Sequence, residues 1–174
     1  MNIQGTNQFQ METILNWKKG LFKSIYEIYS DGVLVGYLNE RSWTHSSHGE
    51  LYGEKYYFKI KGFLKQEVEV FNNDNRSPVA RITYNSWMTK SKLEYSGKMY
   101  YWKFDNFWGT SWRLYNAEGL QLKYYCSSSR GRIEYDLQDN LLVLTGLYIN
   151  NYYWQTTIVT LIAVFLPVWV AVFN

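Results

Sequence analysis

The sequence predicts a mainly β protein: a closed antiparallel barrel of about twelve strands, built as three four-stranded repeats around a buried hydrophobic C-terminal α-helix. Three observations lead there. Stretches of the chain recur at a spacing of 44 residues. Within each copy apolar and polar side chains alternate with a period of two, the mark of strands with one wet face. The last 35 residues, Asn140 to Asn174, carry no charge at all.

Taken in order, residues 1–19 form an N-terminal lead segment without the basic start and apolar run of a signal peptide. One domain then runs from 20 to 174. Its first hairpin is Tyr26–Tyr29, an Asp31-Gly32 turn, and Val33–Leu38; Asp-Gly supplies the positive φ that a tight turn requires. The repeat places Val35-Gly36 on Val79-Ala80, Trp43 on Trp87, Gly53 on Gly97, and Tyr56-Tyr57-Phe58 on Tyr100-Tyr101-Trp102. A shorter third copy sets Arg132-Ile133-Glu134-Tyr135 on Lys92-Leu93-Glu94-Tyr95 at a shift of 40. The second and third copies turn at Asn72–Asn75 and Asn116–Gly119.

A meander of twelve strands must hide its edges, and closing into a barrel removes them. At ~4.8 Å between strands and ~40° of tilt, the wall has a diameter of about 24 Å, too wide for its own side chains to fill. A helix ~10–12 Å across fits such a lumen. The charge-free tail is the candidate, with residues 154–173 as the helix; Ile158 to Phe173 holds 14 apolar residues of 16. The competing reading makes the same residues a C-terminal transmembrane anchor, since twenty residues reach ~30 Å. Membrane helices usually carry flanking basic residues, and the nearest here is Arg132, so the plug is preferred. Pro167 is expected to kink the helix.

Repeat period, turn positions and apolar tail together resemble the Tubby-like superfamily, which comprises Tubby C-terminal domains, LURP-one-related proteins and phospholipid scramblases. The likeness covers roughly residues 20–174 and rests on pattern. It implies the barrel around a hydrophobic helix and a non-enzymatic role at membranes. Neither Tubby's basic phosphoinositide motif nor the acidic calcium-binding stretch of scramblases has a counterpart, Asp136 and Asp139 being the only acids near the tail.

The 18 basic and 15 acidic side chains leave a net charge of +3, which argues against nucleic-acid binding. With Cys126 the single cysteine, no intrachain disulfide is possible, and a reducing, cytoplasmic setting is expected. The repeats bring Lys90 and Lys92 into register with Arg130 and Arg132, and equivalent loops of an up-and-down barrel open on one end. These four cations are therefore expected to share one rim, suited to anionic phospholipid headgroups or a protein partner. His45 and His48 have H-x-x-H spacing without a third ligand beside them, and no metal or cofactor is expected. Ser127–Gly131 could cup a phosphate, though a hairpin loop serves as well. Trp108 and Trp112 are read on one face of a strand; exposed, they would suggest a carbohydrate-binding module. No catalytic set stands out, and the expected function is a non-enzymatic binding module, with a tail-anchored, scramblase-like lipid transporter as the alternative.

Overall fold

The computed structural model describes residues 13–20, 25–40, 46–61, 67–73, 77–85, 89–136 and 138–173. Twelve strands run in chain order: β1 (Thr13–Lys19), β2 (Ile25–Ser30), β3 (Val33–Glu40), β4 (Ser46–Leu51), β5 (Glu54–Lys61), β6 (Glu67–Asn72), β7 (Ala80–Tyr84), β8 (Lys90–Tyr95), β9 (Lys98–Phe104), β10 (Ser111–Asn116), β11 (Gln121–Ser127) and β12 (Arg130–Tyr135). A single helix, α1 (Asn140–Phe173), follows. Each strand pairs antiparallel with its neighbours in sequence, and β1 closes the barrel against β12, with Thr13 opposite Tyr135 and Lys18 opposite Arg130.

This closure corrects the lead segment. Residues 13–19 are the first strand: Leu15 and Trp17 point inward, fully buried, while Asn16 and Lys18 face solvent. The strand lies outside the repeat, and its partner β12 is more than a hundred residues away in sequence. Other expectations hold. Asp31-Gly32, Tyr52-Gly53 and Ser96-Gly97 all take positive φ at both positions, the twist-matched geometry for two-residue hairpins. The latter two turns are one repeat apart. Phe58, Leu93, Trp102, Leu114, Tyr124 and Ile133 are inward and buried, as the alternation requires.

The helix fills the lumen with a different stretch from the one expected. Leu141 to Tyr152 are buried throughout, while from Trp154 onward the described side chains are mostly exposed: Ile162 is 56%, Phe165 58% and Trp169 71% accessible. The reason is wall height. Strands of 5 to 8 residues rising ~3.3 Å per residue at ~40° of tilt make a wall of about 16 Å. At 1.5 Å per residue, about eleven helical residues span it, so a 34-residue helix must project. It passes through Pro167 as helix. Among the described residues no helix is long and apolar enough to cross a membrane, so the transmembrane reading lacks that support.

Contacts along the lumen hold the plug in register. Asp139 caps the helix, accepting from the Leu142 N–H at 3.0 Å, and Asn140 donates to Glu54 at 2.9 Å. Midway, Trp112 donates its indole N–H to the Gly146 carbonyl at 3.1 Å and Tyr124 its hydroxyl to the Leu142 carbonyl at 3.0 Å. A Cβ on Gly146 would stand 2.2 Å from the Tyr124 ring; only glycine admits this approach. Phe58 stacks on Tyr148 at 4.4 Å and Tyr84 on Tyr152 at 4.7 Å.

Candidate functional site

The two barrel ends differ in charge and polarity. At the entry end, where α1 begins, lie the short turns at Asp31-Gly32, Tyr52-Gly53 and Ser96-Gly97. Acids outnumber bases there among the described residues: Asp31, Glu54, Glu118, Asp136 and Asp139 stand with Lys55 and Lys98, the latter ion-paired to Glu118 at 2.6 Å. The helix leaves at the other, exit end, where Lys19 donates to the Asn151 carbonyl oxygen and Tyr26 donates to the same oxygen at 3.3 Å.

All four predicted cations stand at this exit end. Lys90 opens β8 and Arg130 opens β12, with Lys92 and Arg132 two residues on, and all four are exposed. The structure divides them into two shallow grooves on the outer wall. In the first, of about 480 Å³, Lys90 and Lys92 join Lys103 beside Tyr101 and Tyr115. In the second, of about 470 Å³, Arg130 and Arg132 join Lys18 beside Tyr125. Lys18 and Lys103 carry no local sequence signal, because their partners are cross-strand: Lys90 is opposite Lys103, and Lys18 opposite Arg130.

Like charges directly opposed across strands are unfavourable. Lys90, Lys92 and Arg130 have no ion-pair partner among the described residues. Arg132 is bound to Glu134 at 2.8 Å and lies 4.6 Å over the Tyr125 ring, leaving it less free for an added anion. Each groove thus offers positive charge against an aromatic wall.

Between the grooves the β9–β10 loop, residues 105–110, carries Phe107 and Trp108, 94% and 77% accessible. This corrects the strand placement of Trp108: Trp112 is fully buried on β10 while Trp108 sits on the loop. The exposed pair that a carbohydrate face required is therefore absent at these two positions. Asp105, Asn106 and Gly109 bracket the aromatics as turn formers, the signal that could have placed the loop.

The remaining candidates resolve simply. Ser127–Gly131 is a hairpin, with Ser128-Ser129 joining β11 to β12. Cys126 is half-buried, its thiol donating to the Ser128 carbonyl at 3.3 Å, and burial raises its pKa, as suits a structural thiol. His48 packs edge-on against Tyr37 at 5.9 Å; His45, Trp43 and Trp87 lie outside the described residues. Among the described residues no group of three His, Cys, Asp or Glu side chains could hold a metal ion. No family model, curated protein or solved structure matches this chain.

Proposed function

We propose that this chain is a non-enzymatic binding module that settles on the anionic surface of a membrane, exit end down, from the cytoplasmic side. One observation carries the reading: the free cations Lys90, Lys92 and Arg130 stand around the same end from which the apolar, exposed half of α1 emerges. A basic rim attracts anionic headgroups at about 1 kcal/mol per cation near the surface. The projecting helix adds apolar area that water disfavours and acyl chains accept. The acidic entry end would face away from the lipid. The resemblance to Tubby-like proteins supports the same assignment.

Sedimentation of the full chain with vesicles tests it. Binding to phosphatidylcholine vesicles should strengthen when phosphatidylserine is added and weaken as salt rises. Neutralising Lys90, Lys92, Arg130 and Arg132 together should lower affinity for the anionic vesicles by roughly a hundredfold, three free cations at about 1 kcal/mol each. Binding that ignores salt, lipid charge and these substitutions would overturn the reading.

A further inference from the structure

Among the described residues the exit end is lopsided. Going around the barrel, the β9–β10 loop lies between the Lys90–Lys92–Lys103 groove on β8 and β9 and the Arg130–Lys18 groove on β12 and β1. The opposite arc is different: Lys61 is paired to Glu69 at 2.9 Å and Arg81 to Glu67 at 3.0 Å, so much of its charge is internally neutralised. Among the described residues, free positive charge and exposed aromatic surface therefore fall mainly on the same half of the wall, Lys59 on β5 being a cation of the other half without an ion pair.

The loop itself is held, not loose. Asn106 accepts from the Thr110 N–H at 3.0 Å and donates to its hydroxyl oxygen at 2.8 Å, while Arg113 and Asp105 form an ion pair at its base. Gly109 packs close to the emerging Trp154 ring, where a Cβ would stand 3.1 Å away, so the loop leans on the helix as it leaves. Yet Phe107 and Trp108, edge to face at 5.5 Å, project into solvent with a polar scaffold beneath them. Burying nothing in the fold, they contribute no packing to offset their exposure. Aromatic rings of this kind are favoured at the membrane–water interface.

We infer that Phe107 and Trp108 form a second membrane contact beside α1, entering the interfacial layer and tilting the barrel so that the β8–β1 arc meets the headgroups. The inference rests on the lipid-surface reading above, and adds the loop and the tilt. A bilayer interface is the occupant because the loop is continuous with an apolar helix and bordered on both sides by free cations.

Single-cysteine variants of the full chain, in a Cys126→Ser background, test both elements. An environment-sensitive label at Phe107→Cys should shift to the blue on vesicles of phosphatidylcholine with phosphatidylserine. Labels at Lys59→Cys, on the far arc of the same end, and at Leu34→Cys, near the entry end, should keep their aqueous spectra. The double variant Phe107→Ser/Trp108→Ser, at exposed positions, should melt like the parent and bind these vesicles about tenfold more weakly. If vesicles sediment the protein but the Phe107 label stays aqueous, the loop contact is wrong and the lipid reading stands. If the Lys59 label shifts equally, the tilt is wrong. Vesicles that bind no protein at all would overturn the lipid reading and this inference together.

Discussion

Asp139 is the last charged side chain and the first grip on the helix. Its carboxylate accepts from the Leu142 backbone, which favours the charged form, yet burial outweighs this and raises its pKa above the ordinary 3.8. The folded carboxyl thus holds its proton more tightly than the unfolded one. Stability contributed by this group accordingly falls as pH rises through the window above 3.8, and at neutral pH the charge is carried at a cost. Asp139→Asn keeps a capping oxygen without the charge. It is expected to match or exceed the parent in urea unfolding at neutral pH, with the advantage vanishing below that window; a less stable Asp139→Asn at neutral pH would contradict the burial argument. Asp139→Ala removes the cap and should cost about 1 kcal/mol.

For the elements, the decisive division is inside α1. The twelve residues Leu141–Tyr152 are the plug, and the segment after Tyr153 contributes little to the core. Ending the chain after Tyr153 should therefore leave the barrel folded, with its near-ultraviolet circular dichroism and cooperative melt intact, and should cut vesicle binding. Ending it after Asp139 empties the lumen and should abolish the cooperative transition, since a void of that size forfeits most core contacts. Loss of folding in the first truncation would show that the projecting half supports the barrel. Hydropathy alone misled here: residues 158–173 are the most apolar of the chain, but apolarity marks an aversion to water without saying which apolar phase relieves it. The milder run Leu141-Leu142-Val143-Leu144-Thr145-Gly146-Leu147 fits the lumen because it starts six residues after β12 ends at Tyr135, and because Gly146 makes room for Tyr124.

At the scale of the whole molecule, the chain is polarised end to end, with acids where the helix enters and free cations where it leaves. At physiological salt a charge is screened within about 8 Å, roughly half the height of the wall. Asp31→Lys and Glu118→Lys at the entry end should therefore leave vesicle affinity nearly unchanged at that salt, whereas a charge change of equal size and opposite sign at the exit end, Lys90→Glu with Arg130→Glu, should lower it strongly. Equal effects at both ends would mean that net charge, not the orientation of the barrel, governs binding.

Alternation and positive-φ turns are local properties read within a few residues, so the barrel class and the hairpin turns are legible in the sequence, but β1 is not. Repetition extended them around the wall and brought Lys90, Lys92, Arg130 and Arg132 to one rim. That β1 closes the circle, that Lys18 and Lys103 complete the grooves, and that the helix stops being core after Tyr152 emerge from the folded arrangement alone. Those depend on distances between segments remote in the chain, and on how tall the finished wall is, which no single segment encodes.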